Sequence, residues 1–141
     1  MPNHFHLLLK QLLPPQPDNN ISNFMKRLSI TYAMHFNNIY EHSGNLFQGK
    51  YKNVQVRSEG QLLYITKYIH RNPINLEGSD PSLSSYPYSS YPYYLGINPI
   101  PDWLDTQPIL ELFSKSNPNL SYQAFVEENS IHLTDYLLTL E

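Results

Sequence analysis

Residues 4–12 read His4-Phe5-His6-Leu7-Leu8-Leu9-Lys10-Gln11-Leu12, and Pro14-Pro15-Gln16-Pro17 follows closely. A short run dense in aliphatics and ended by prolines predicts a mostly buried β-strand. Side chains two apart in a strand leave the same face, so both imidazoles would project together while Phe5 faces the core. Two neighbouring imidazoles can ligate one divalent metal ion. Taken alone, the pair is a weak signal, more often structural or incidental than ligating.

After the prolines, Asp18 and Asn20 offer helix caps. Ile21, Met25, Leu28, Tyr32, His35 and Ile39 recur at steps of three and four, which predicts a long helix ending near Tyr40 and Ser43-Gly44. Leu46 to Val56 alternates Leu46, Phe47, Tyr51, Val54 and Val56 with polar residues, as one or two half-exposed strands would. Ser58 with Gln61 three residues later forms a capping-box pattern for a second helix. That helix should stop near Arg71-Asn72, because Pro73 disfavours helical geometry at the residue before it. Beyond it lie a Pro/Ser/Tyr-rich stretch and two short helical candidates, Gln107–Ser114 and Ser121–Glu128.

Charge divides the chain unequally. Residues 1–73 carry eight basic and three acidic side chains, a net +5, whereas residues 74–141 carry one basic and nine acidic, a net −8. Such asymmetry points to an anionic partner for the first half. The chain has no cysteine, which excludes disulfides, thiolate nucleophiles and thiolate metal sites. The longest N-terminal apolar run, Leu7–Leu9, is too short for a signal-peptide core or a membrane span, so a cytoplasmic location with no membrane partner is expected.

Two further groups of residues could carry chemistry. At about 100° per residue, Leu62, Ile65, Thr66 and Ile69 share the presumed core side of the second helix. Gln61, Tyr64, Tyr68 and Arg71 share the opposite side, with Asn72 at its edge. Tyr68 and Asn72, four apart, are neighbours on the helix surface. This face offers phenols, a carboxamide and a guanidinium, although a plain solvated face would look the same. In residues 44–57, Lys50, Lys52 and Arg57 interleave with Phe47, Tyr51 and Val54, a pattern able to meet phosphates and stack on bases. Lysines guarding an exposed strand edge would also give that pattern, but would not account for Lys26, Arg27, Lys67 and Arg71 in the same half.

These segments together resemble the IS200-like transposases of the HUH superfamily, single-strand nucleases with a catalytic tyrosine. Met1-Pro2-Asn3-His4-Phe5-His6-Leu7-Leu8 is similar to the family's His–hydrophobic–His strand. Phe24-Met25-Lys26-Arg27-Leu28, Gly44-Asn45-Leu46-Phe47-Gln48-Gly49-Lys50-Tyr51 and Tyr68-Ile69-His70-Arg71-Asn72-Pro73 then follow in the family's order. Ser89-Ser90-Tyr91 and Tyr94-Leu95-Gly96 extend the likeness, which is greatest to the REP-associated tyrosine transposases.

The resemblance implies an α+β, ferredoxin-like sandwich, an antiparallel sheet with helices packed on it. It would be N-terminally truncated, since relatives have a strand, a helix and a second strand before the histidine pair. A sheet so shortened would leave apolar edges open to self-association. The expected organisation is a partial catalytic domain over residues 1–77, an irregular Tyr/Pro-rich segment over 78–101 and an acidic helical tail over 102–141. The resemblance further implies that His4, His6 and Asn72 ligate Mg²⁺ or Mn²⁺. Tyr68 would attack a scissile phosphate in single-stranded or hairpin DNA, leaving a 5′-phosphotyrosine. Lys26, Arg27, Lys50, Lys52, Arg57, Lys67 and Arg71 would contact the DNA. Tyr64 competes for the nucleophile's role, but only Tyr68 has a carboxamide at the right spacing. Two rival readings are an inactive remnant that only binds DNA and a zinc hydrolase built on His4 and His6. The second has no HExxH motif to support it.

Overall fold

Helix starts and stops follow local chemistry closely. In the computed structural model, which describes residues 3–75 and 82–128, helix α1 spans Ile21–Ile39 and helix α2 spans Glu59–Arg71. The Asn20 side chain caps α1 by accepting from the Asn23 N–H at 2.9 Å. Ser58 caps α2 in the same way, accepting from Gln61 N–H at 3.2 Å. The returning half of the capping box is shifted by one residue: the Gln61 carboxamide oxygen accepts from Arg57 N–H at 2.8 Å, not from Ser58. After α2 the chain tightens into a 3₁₀ turn, Asn72–Asn75, as expected where Pro73 removes a backbone donor. Three short helices follow: α3 at Tyr91–Tyr94, α4 at Gln107–Leu110 and α5 at Tyr122–Glu127.

The expected ferredoxin-like sheet is not there. Among the described residues there is no named strand, only an isolated antiparallel bridge between Gln16 and Asn19. Residues 4–12 and 46–56 have no regular secondary structure, although the first was expected to be a strand and the second one or two strands. The physical reason lies in the nature of a strand, whose stability comes from a neighbour's N–H and C=O groups and cross-strand side chains. Among the described residues neither segment finds such a ladder. Apolar composition alone therefore does not bury residues 4–13, and Leu12 remains 80% exposed.

The described residues form two compact units, residues 7–55 in one and residues 3–6 with 56–75 and 82–128 in the other. The first is built on α1. Its sole buried helical side chain is Met25, and the chain after α1 turns through Gly44, whose φ of 105° suits a residue without Cβ. Asn37 holds that turn by donating to Gly44 C=O at 3.2 Å. Tyr32 lies against Phe47, and Tyr51 Oη is 3.0 Å from Ser22 Oγ.

The second unit has its core in the C-terminal part of the chain. Leu83, Tyr91, Ile109, Tyr122 and Val126 are buried together, with Leu62 and Leu63 of α2 and Phe113 and Phe125 packed against them. The buried residues of α2 are Gln61, Thr66, Lys67 and His70. Of the expected core stripe Leu62, Ile65, Thr66 and Ile69, Thr66 is buried and Leu62 packs on the core, but the buried face extends around the helix to Lys67 and His70, because aromatic partners in residues 91–125 accept an imidazole and a lysine stem. The 77/78 boundary and residues 129–141 of the expected tail lie outside the described residues. Among the described residues, no helix is long and apolar enough to cross a membrane.

Candidate active site

The His4 and His6 side chains lie together although neither residue belongs to a strand. Their rings meet edge to face with centroids 5.1 Å apart. The His6 ring in turn lies against the Tyr68 ring, with centroids 5.3 Å apart and planes at 74°. Residues far apart in sequence are thereby brought together inside one unit. Asn3 steadies the first histidine, its Oδ1 lying 2.7 Å from His4 Nδ1. When that nitrogen carries the proton and donates, Nε2 keeps its lone pair for a ligand. Burial, followed by the neighbouring His4, lowers the pKa of His6 below the ordinary histidine value and favours its neutral, ligating form.

Asn72 continues the helical path after α2, with φ −51° and ψ −36°, so it stands one turn beyond Tyr68. Its side-chain Nδ2 is buried with no hydrogen-bond partner among the described residues. Leaving a polar atom in that condition costs about 1–3 kcal/mol. A half-turn of the amide would put the oxygen there, where a cation could satisfy it. Among the described residues no three His, Cys, Asp or Glu side chains cluster as a metal site. His4 and His6 do lie together, and a divalent cation accepts imidazole nitrogens alongside oxygen donors such as a carboxamide.

The seven basic candidates separate into two groups. Lys26 and Arg27 on α1, Lys50 and Lys52 beyond it, and Arg57 just before α2 are exposed. Arg27 also lines a groove of about 370 Å³ at the start of α1, with Asp18, Asn20, Phe24 and Leu28. Lys67 and Arg71 instead engage α5. Lys67 is 2% exposed, its ammonium 4.8 Å from the centre of the Phe125 ring. Burial first, and the Arg71 charge second, lower its pKa. Arg71 Nη1 donates to Val126 C=O at 2.7 Å and to Glu128 C=O at 3.1 Å, capping the end of α5.

Sequence reasoning missed His70, Ser90 and Tyr122 as parts of this construction. His70 Nδ1 is 2.6 Å from Tyr122 Oη, and Nε2 is 2.8 Å from Ser90 Oγ. The signal was faint: Tyr122 and Phe125 sit three apart on a short helix, and only the fold shows that they face α2. Burial pushes the pKa of His70 down to about 4 and raises that of Tyr122. Tyr91, whose hydroxyl donates to Glu127 at 3.0 Å, is likewise raised, by burial first and this bond second.

A pH dependence of stability follows. His70 is neutral in the folded chain and, with its ordinary value of 6.5, takes up a proton more readily when unfolded. Its contribution is therefore complete above pH 6.5 and is lost as pH falls toward 4, by about 3 kcal/mol in all. Urea unfolding of the wild type should show this loss between pH 6.5 and 4. A variant with Gln at position 70 should show a flatter profile.

Comparison with curated proteins returns no match, and neither does comparison with solved structures. The family model described as Transposase IS200 like matches residues 1–72, just over half of the 141-residue chain. That span contains both histidines, Tyr68 and Asn72, and ends where α2 gives way to its 3₁₀ turn. The chain belongs to the IS200-like transposase family, whose partner is DNA.

Proposed function

We propose that the protein cleaves and rejoins single-stranded or hairpin DNA, with Tyr68 as the nucleophile. The carrying observation is the run of ring contacts from His4 to His6 and from His6 to Tyr68, with the buried, partnerless Nδ2 of Asn72 one helical turn beyond the phenol. In the step proposed, Tyr68 Oη forms a bond to a DNA phosphorus as the bond from phosphorus to the 3′-oxygen breaks. The phenolic proton passes to solvent, and the released 3′-oxygen takes one up. One ester replaces another, so the phosphotyrosine retains the energy needed for rejoining. Mg²⁺ or Mn²⁺ held by His4, His6 and Asn72 would supply Lewis acidity at the phosphate oxygens. The exposed Lys26, Arg27, Lys50, Lys52 and Arg57 would meet backbone phosphates, giving an affinity that falls as salt rises.

The test is direct. The full chain is incubated with Mn²⁺ and 3′-labelled hairpin oligonucleotides carrying randomised flanks. The label belongs at the 3′ end because the proposed adduct holds the downstream fragment. An SDS-resistant labelled protein band that EDTA abolishes is expected. Binding without such a band would instead favour a remnant that only holds DNA.

A further inference from the structure

His70 lies in the last turn of α2, two residues after Tyr68 and two before Asn72. A step of two residues turns a helix by about 200°, so its imidazole leaves the side roughly opposite the phenol. There it is 2% exposed and ringed by Tyr91, Tyr94 and Tyr122, with centroids at 5.3, 4.8 and 5.8 Å. Both nitrogens are occupied, one by Tyr122 Oη and the other by Ser90 Oγ. A neutral imidazole has one donor and one acceptor, so one hydroxyl receives a bond from it while the other gives one. Two bonds in divergent directions fix the ring's tilt and rotation, which apolar packing alone would leave softer.

We propose that His70 is a positioning residue. Pinned between Ser90 and Tyr122, it sets the rotation and height of the last turn of α2, and so holds the Tyr68 phenol where it meets His6. The inference rests on the reading of Tyr68 as the nucleophile. Ser90 and Tyr122 lie beyond residues 1–72, so parts of the working site come from outside the family match. A core-filling role would need volume only, whereas this arrangement spends both ring nitrogens on hydroxyls from two separate segments.

The experiment uses the full-length wild type and two mild variants, Tyr122→Phe and Ser90→Ala, each of which removes one hydroxyl. A hairpin selected by the wild type from the randomised pool is mixed with protein in excess in Mn²⁺. The rate constant and amplitude of adduct formation are read separately, alongside DNA affinity by anisotropy and thermal unfolding. Misplacing a reacting group by a fraction of an ångström should slow the step in Tyr122→Phe by about tenfold, with amplitude and affinity held within about twofold of the wild type. Ser90→Ala should move in the same direction. Should the amplitude fall with stability while the rate constant stays unchanged, His70 is packing and nothing more. Unchanged rates in both variants, with an active wild type, would sink the pin and leave the nucleophile assignment standing. A wild type that forms no adduct with any hairpin overturns both.

Discussion

Tyr68→Phe should abolish covalent capture of DNA if Tyr68 is the proposed nucleophile, lowering the rate of adduct formation by at least about 1,000-fold. Only the phenolic oxygen is removed, and the ring that lies against His6 remains. Tyr68 is only partly buried, so the variant should unfold within about 1 kcal/mol of the wild type. Affinity for DNA should also hold if the phosphate contacts come from the basic side chains, as proposed. Tyr64→Phe supplies the control. It shares the helix face, but the ring in contact with His6 is that of Tyr68. Peptide mapping of the adduct by mass spectrometry assigns the linkage. A DNA-bearing peptide from Tyr68→Phe modified at Tyr64 would reverse the assignment.

Tyr122→Ala carries the largest expected cost in stability. The ring is 4% exposed and touches Tyr94, Phe113 and Phe125. Removing a buried aromatic side chain costs about 3–5 kcal/mol. His70 Nδ1 also loses its partner, which adds about 1–3 kcal/mol. Against a total of roughly 5–15 kcal/mol for a natural domain, that is enough to leave the second unit partly unfolded at room temperature. Circular dichroism during urea titration would measure the loss, and a change below about 1 kcal/mol would contradict the core placement given above. A polar residue in place of Leu12, 80% exposed, should by comparison shift stability by less than about 0.5 kcal/mol.

The parts of the molecule that were legible in the sequence depend on local chemistry. Asn20, Ser58 and Gln61 announce helix starts because capping acts over three residues, and Pro73 announces a stop because its ring constrains the residue before it. The two histidines lie together, as their spacing of two suggested, although neither belongs to a strand. That residues 4–12 would find no strand partner among the described residues was not legible from their composition. A strand's stability is held in its neighbour, and apolar composition cannot report a neighbour's presence. The face of α2 was misjudged for a related reason. Periodicity assigns the interior to Leu62, Ile65, Thr66 and Ile69; Thr66 is buried, but so are Lys67 and His70, because Phe125 and Tyr122 receive them. Contacts spanning more than fifty residues leave no periodic trace.

The C-terminal location of that core also bears on synthesis. Chains emerge from the ribosome N-terminal end first, so α2 is exposed well before the groups that seat it. The His70–Tyr122 bond spans 52 residues and the Arg71–Val126 bond 55. Pairings so distant close slowly, because the intervening loop must be ordered first. A nascent chain that has released Tyr68 but not Tyr122 therefore carries Tyr68 on a helix that lacks these contacts. If Tyr68 is the nucleophile as proposed, translation itself would delay the moment at which the phenol becomes competent.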